Sequence, residues 1–356
     1  MTLERMRAMI LAAGYGTRLW PLTIDRAKPA IPFMNRPLVG YVAEYLARFG
    51  CDEVVVNLHH RPESVRAALG DGSRFGVRLH FVEEPEILGT SGALDNARHL
   101  LDGGTFVVVN GKLATDIDLH AALETHRRQN AIATLVLREN AERERYSTVQ
   151  VRDGLIHGFG PAPAPQTSDN ADGQALRERS SQGCSGVPSS PAAFEADAPL
   201  MFTGIQILEP RIFDFIPPKV FSHSTTDVYP KAWNKGERVA AHVSGGMWYE
   251  LSTVRRYLET SLHLLKMQGR GVEVGDGSDI EAGAEVSESV LWEDVKVERG
   301  ATVRRAVLGA GVRVPAGERL EEVAVVRADL VRGVERPEKG LEGEVRGANF
   351  VAPLPR

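Results

Sequence analysis

Residues 11–32 read LAAGYGTRLWPLTIDRAKPAIP; the segment begins inside an apolar run, residues 6–13, and leaves it through two glycines. That run is short, apolar and stopped by glycine, which predicts one buried strand. Gly14 and Gly16, directly after it, let the backbone turn tightly and aim N–H groups at an anion. Arg18 adds a planar fork matched to phosphate oxygens, and Lys28 adds a mobile point charge. The segment lacks the Gly-Lys-Ser/Thr ending of a Walker loop, and its glycine spacing is wrong for a dinucleotide fingerprint. Gly-x-Gly after a strand also suits an ordinary strand-to-loop turn, so on these residues alone both readings stand. Residues 14–37 carry no sustained periodicity and are expected to form one long functional loop.

Outward from this loop the chain alternates. Helical spacing covers residues 38–49, 62–69, 90–101 and 119–130, and buried strands are expected at 53–58, 77–82, 105–110 and 133–138. Strands alternating with helices imply right-handed crossovers and an α/β fold, a mostly parallel Rossmann-like sheet with helices on both faces. In such sheets ligands bind beyond the carboxyl ends of the strands. The turns after Ala13, Val82 and Asn110 are therefore the informative ones. Residues 161–199 change to Pro, Ala, Ser, Gly, Gln and Asp, and are expected to be a flexible low-complexity insertion. Folded sequence resumes at Met201 and ends in a helix over 253–267.

Beyond Gly271 apolar residues recur about every sixth position, as in Val274, Ile280, Val286, Trp292, Val297, Val303, Val314, Leu320 and Val326. Small residues between them, including Gly275, Gly283, Gly300 and Gly311, fit the corners of a β-helix. A plain β-meander is the competing reading. The expected organisation is one α/β domain over residues 1–268, a small left-handed β-helix over 272–330, and a polar, loosely held tail over 331–356.

A chain of 356 residues with 43% hydrophobic and 25% charged residues can bury two cores of this kind. Its net charge of −5 argues against nucleic acid or an anionic membrane as the main partner. The two cysteines, Cys51 and Cys184, stand far apart in unlike contexts, which suggests neither a disulfide framework nor a metal cluster. No apolar run approaches membrane-spanning length, and residues 1–7 are too short and charged for a secretory signal, so a cytoplasmic location is expected.

The longer string is far more specific than its glycines. Gly14, Gly16, Thr17, Arg18, Leu19, Pro21, Leu22, Thr23, Lys28 and Pro29 together match GxGTRLxPLT followed by Lys-Pro. This resembles the sugar-1-phosphate nucleotidyltransferases that make NDP-sugars, and above all mannose-1-phosphate guanylyltransferase-like proteins with a β-helical tail. Further segments follow in the family's order: EEPEILGTSGAL (83–94), FVVVNGKLATDIDL (106–119), FTGIQILEPRIFDFIP (202–217), and DVYPKAW through GGMWYELSTVRRYLE (227–259). The resemblance implies in-line attack of a sugar-1-phosphate oxygen on the α-phosphorus of an NTP, with pyrophosphate leaving. It implies catalytic roles for Arg18, on the pyrophosphate, and Lys28, between the two phosphates. Leu11, Ala12, Ala13, Gly14, Gly16, Thr17 and Arg18 would hold the nucleotide, with Gly89 and Thr90 at the base. Asn110, Gly111, Thr203 and Gly204 would face the sugar.

Three departures fall on the chemistry. Where the family reads Asn-Gly-Asp and the Asp binds Mg2+, this chain has Asn110, Gly111 and Lys112. The second metal ligand of the family is an Asp, and the matching residue here is Glu250. The lysine of a Glu-Lys-Pro segment grips the sugar phosphate in the family; GLIHGFGPAPAP (154–165) keeps the lead-in and loses both charges. A lysine about 4 Å from a divalent ion would repel it by several kcal/mol at an effective dielectric near 20. Lys112 therefore either takes over part of the metal's role as a fixed cation, or marks an impaired homologue that binds nucleotide or NDP-sugar as a sensor or regulatory subunit. Asp116 and Asp118 lie close by as substitute carboxylates, or as caps of the following helix.

Two other features carry less. Adjacent His59 and His60 would point to opposite faces of a strand, which argues against a metal pair. Hexapeptide repeats can mark acyltransferases, yet the repeat region holds no histidine after His263 to act as base. The reading is an NDP-sugar-forming transferase with a GDP-mannose-like product. It uses NTP and sugar-1-phosphate, and self-associates through its β-helix.

Overall fold

The computed structural model describes residues 6–162 and 198–355, so the low-complexity insertion and Cys184 lie outside the described residues. The chain divides into two compact units. One comprises residues 1–13, 41–59 and 70–248; the other comprises 14–40, 60–69 and 249–356.

The first unit is a nine-stranded sheet. Its order is Arg78–Glu83, Glu53–Leu58, Arg7–Leu11, Phe106–Asn110, Leu200–Leu208, Ala133–Glu139, Val239–Val243, Leu155–Gly160 and Thr148–Arg152. The first four strands run parallel, as their alternation with helices requires. Both faces of EVVVNL and FVVVN are buried, the pattern of strands covered on two sides. The remaining half of this α/β sheet mixes strand directions. Leu200–Leu208 is antiparallel to both its neighbours, the hairpin Thr148–Gly160 adds three more reversed pairings, and Val239–Val243 runs parallel to Ala133–Glu139. The core gathers Met9, Val55, Phe106, Val108, Leu135, Leu208, Phe213 and Tyr229.

Helix prediction held closely at Leu38–Arg48, Pro62–Leu69 and Leu119–Gln129. The single helix expected over 90–101 is two, Gly89–Asn96 and Arg98–Leu101, with Ala97 at φ −95°, ψ 4° between them.

The second unit holds a three-faced parallel β-helix. One face stacks Val272–Val274, Ser289–Leu291, Val307–Leu308 and Val323–Arg327. The second stacks Asp279–Ile280, Lys296–Val297 and Arg313–Val314, and the third Glu285–Ser287, Thr302–Arg304 and Arg319–Glu321. Leu291, Val297, Val303, Leu308, Val314, Leu320 and Val325 fill the axis, each contributing about 1.5–3 kcal/mol by burial. Val274 and Ile280 belong to the first coil and stay 37% and 36% exposed.

Two expectations change in this unit. The tail is not loosely held. Glu344–Arg346 and Asn349–Pro353 form an antiparallel hairpin on Val323–Arg327, burying Phe350, Val351, Ala352 and Leu354. The short apolar word FVAPL is enough to cover the last coil's open strand edge. The signature loop, assigned by sequence to the α/β domain, groups instead with the helix Val254–Met267 and the β-helix.

Candidate active site

In the first unit, Leu11 sits between Asn57 and Asn110 in register, so three carboxyl strand ends meet. The N–H of Gly111 donates to the Leu11 carbonyl at 2.9 Å. A buried relay continues sideways. The Ala12 N–H donates to Asn57 Oδ1 (2.8 Å), Asn57 Nδ2 to Glu84 Oε1 (2.6 Å), and the Leu88 N–H to Glu84 Oε2 (2.9 Å). Asn57 and Glu84 are each only 3% exposed, and a buried carboxylate survives because amide donors take both its oxygens. The relay ties the strand end Leu11–Ala13 to the segment carrying Gly89 and Thr90. Sequence reasoning missed Asn57 and Glu84. Their one signal was polarity where an apolar strand ends.

Gly89 and Thr90 open a helix that rests on residues 222–224. The Ser222 carbonyl accepts from the Ser91 N–H at 3.0 Å, and the Ser224 N–H donates to Thr90 Oγ1 at 2.9 Å, which leaves the Thr90 hydroxyl proton to give. Asn110 and Gly204 come together. Gly204 lies at φ 84°, and a Cβ there would stand 2.2 Å from Asn110 Nδ2, so only glycine fits. Thr203 departs from its expected sugar-facing role. Its side chain is buried, its hydroxyl donates to the Val136 carbonyl at 2.7 Å, and its own carbonyl accepts from Trp248 Nε1.

In the second unit, the signature loop is folded around Lys28. Gly16 takes φ 67°, ψ 23° and opens the turn Thr17–Leu19. A Cβ at Gly16 would meet Lys28 Cβ at 2.8 Å and Thr23 Cγ2 at 3.2 Å. The spacing from Gly16 to Lys28 is therefore a packing contact as well as a motif. Lys28 opens the turn Lys28–Ala30 and is 9% exposed, whereas Gly14 and Arg18 are exposed. The two cations differ accordingly: Lys28 is held in place, and Arg18 reaches solvent.

The residues fit the implied Mg2+ site poorly. Lys112 stands half-buried in the turn between Phe106–Asn110 and Leu113–Thr115. Neither nearby aspartate substitutes for the missing one. Asp116 Oδ1 accepts from the Met247 N–H at 2.6 Å, and Asp118 caps the helix Leu119–Gln129 through His120 and Ala121. Glu250 is buried in the short strand Trp248–Glu250. No group of three or more His, Cys, Asp or Glu side chains that could hold a metal occurs among the described residues. His59 Nδ1 donates to the Glu84 carbonyl at 2.8 Å while His60 packs on Tyr15, so the two histidines part. Cys51 is buried, and burial pushes its thiol up to about 12, which rules out a thiolate nucleophile there. No described helix is long and apolar enough to cross a membrane.

Residues 7–267 match the family model for nucleotidyl transferases, and residues 270–327 match that for the GlmU-like C-terminal hexapeptide. Among curated relatives, a UTP–glucose-1-phosphate uridylyltransferase of Synechocystis is 29% identical over 82% of this chain and 72% of its own length. A mannose-1-phosphate guanylyltransferase of Mycobacterium tuberculosis is 25% identical over 84% of this chain and 83% of its own. Among solved structures, HddC from Yersinia pseudotuberculosis shares the fold at a TM-score of 0.57 and 20% identity, over 73% of this chain and 99% of that one. The chain belongs to the nucleotidyl transferase family and carries a hexapeptide-repeat domain behind it.

Proposed function

We propose that the protein joins a nucleoside triphosphate to a hexose-1-phosphate, releasing pyrophosphate and an NDP-sugar of the GDP-mannose kind. The observation that carries this reading is the signature loop itself, with Gly16 locked against Lys28 directly beyond a central parallel strand. A sugar-phosphate oxygen forms a bond to the α-phosphorus as the bond to the pyrophosphate oxygen breaks. No covalent enzyme intermediate is needed, so positioning and charge neutralisation carry the catalysis. Lys28, buried and immobile, neutralises charge between the reacting phosphates. Arg18 takes the leaving pyrophosphate with a bidentate fork. The backbone of residues 11–17 receives the nucleotide phosphates, Gly89 and Thr90 the base, and Asn110, Gly111 and Gly204 the sugar. Bound Mg2+ would supply charge neutralisation on the phosphates. Lys112 offers a fixed positive charge where the resemblance puts a metal ligand.

A uridylyl product is the second reading, favoured by the uridylyltransferase among the relatives. The test is pyrophosphate release over a matrix of four NTPs and several hexose-1-phosphates, with and without Mg2+ or Mn2+. Turnover with GTP and mannose-1-phosphate above all other pairs is expected. Turnover with another pair moves the assignment to that pair. Nucleotide binding without pyrophosphate release from any pair overturns the enzyme reading in favour of a sensor subunit. Self-association through the β-helix belongs to the same reading, and light scattering that finds only monomer removes it.

A further inference from the structure

On both sides of Lys28 the signature loop is held by groups from the carboxyl-terminal part of the second unit. Before it stands Arg26, whose guanidinium lies 5.0 Å over the Trp292 ring, makes a 2.7 Å ion pair with Glu293, and meets Asp25 through two bonds of 3.2 Å. After it, the Pro32 carbonyl accepts from Tyr257 Oη at 2.6 Å, and Tyr257 Oη in turn accepts from Trp292 Nε1 at 2.9 Å. Asn35 Nδ2 donates to the Val274 carbonyl at 2.8 Å. Farther upstream, Trp20 packs edge-on against Phe350 of the tail hairpin.

Trp292 thus touches the loop twice, by its face through Arg26 and by its N–H through Tyr257. It is 2% exposed, although its counterpart positions in a plain β-helix coil need only fill a corner. A domain that served self-association alone would have no need of an indole shared between two loop anchors. Arg26 is placed to gain from this. Its fork spans a loop carboxylate and a β-helix carboxylate while its face is desolvated against an aromatic ring, three interactions that lysine cannot make together.

We propose that Arg26 is a positioning residue for Lys28, and that the coil bearing Trp292 and Glu293 is a working part of the transferase. The inference rests on the assignment of Lys28 to the reacting phosphates given above. The mechanical link, however, is testable whether or not that assignment stands.

The experiment uses the full chain with Glu293→Gln, Arg26→Lys and Arg26→Ala. Glu293 is 37% exposed in its side chain, so Glu293→Gln should keep the fold and serves if Arg26→Ala does not. Hydrogen–deuterium exchange should rise in peptides covering residues 22–30 and stay unchanged in the sheet strands of the first unit. With the substrate pair found for the wild type, kcat should fall about tenfold to a hundredfold at nearly constant KM, the expected result of misplacing a group by around an ångström. Arg26→Lys should recover only part of it, and Glu293→Gln should add little to Arg26→Ala. Unchanged exchange in the loop overturns the anchoring. Raised exchange with unchanged kcat overturns the positioning role and leaves a structural one. If the wild type binds nucleotide without turnover, raised exchange with weaker nucleotide binding upholds the link while the transferase reading falls.

Discussion

Leu11 and Asn110 are paired in neighbouring parallel strands, yet the turns that follow them have been treated differently. The turn after Leu11 keeps every glycine and both cations of its motif, and packs Gly16 against Lys28. The turn after Asn110 keeps its geometry, with Gly111 bonded to Leu11 and Gly204 packed on Asn110, but carries Lys112 in place of a carboxylate. Geometry is thus preserved at both strand ends, while charge is preserved at only one. A site that had drifted without purpose would be expected to lose its tight glycine contacts together with its charges. The pattern fits the proposed phosphate cradle, with an altered cation inventory.

The contrast can be broken most directly at Lys28. Lys28→Ala should lower the rate of pyrophosphate release by about 10²–10³-fold, the loss typical of one preorganised charge-stabilising group. A loss below tenfold would mean that the first turn is a scaffold and the chemistry lies elsewhere. Lys112→Asp tests the other turn. It should lower the Mg2+ concentration for half-maximal activity at least about tenfold, since one unit charge 4 Å from another is worth about 4 kcal/mol at an effective dielectric of 20. If magnesium activates the variant and the wild type alike, Lys112 lies outside the metal's reach.

Smaller effects separate steric from polar support. Gly16→Ala must hold a Cβ at φ 67° against Lys28, and should cost about 1–2 kcal/mol in urea unfolding. Recovery of full stability would show that the loop relaxes freely. Asn57→Ala leaves the Ala12 N–H and a Glu84 oxygen buried without partners, at a similar cost of about 1–3 kcal/mol. It should also raise the KM for nucleotide, because the Gly89–Thr90 segment loses its tie to the strand end. An unchanged KM would confine the relay to stability.

The mildest effect comes from pH and leaves both turns alone. Burial holds the His126 imidazole below its ordinary value, against the opposing pull of Glu209, and burial lowers His242 as well. The unfolded chain therefore takes up protons that the folded chain refuses. Stability is full above the ordinary histidine value of about 6.5 and is lost as pH falls through it. The urea midpoint should fall between pH 7.5 and 5.5, and a flat midpoint would show that these imidazoles protonate without strain.

Legibility in the sequence followed the range of the interactions. The first four parallel strands were readable as short apolar runs, and the helix Val254–Met267 and the β-helix through local periods of 3.6 and about six residues. The reversed half of the sheet was not, because strand direction depends on how the chain returns and no residue encodes that alone. Asp118 as a helix cap was likewise legible. The burial of Glu84 was not, since its partner Asn57 comes from another strand.

By itself the sequence determined the family, the glycine-rich signature loop with Arg18 and Lys28, and the lysine at position 112 where the resemblance puts an aspartate. These are questions of residue type and spacing along one chain. Only the tertiary structure decided that Lys28 is buried while Arg18 is exposed, that Thr203 braces the sheet, and that the loop is anchored on the β-helix through Arg26, Trp292 and Tyr257. The physical reason is that burial and hydrogen-bond partnership are set by atoms far apart in sequence, which local periodicity does not carry.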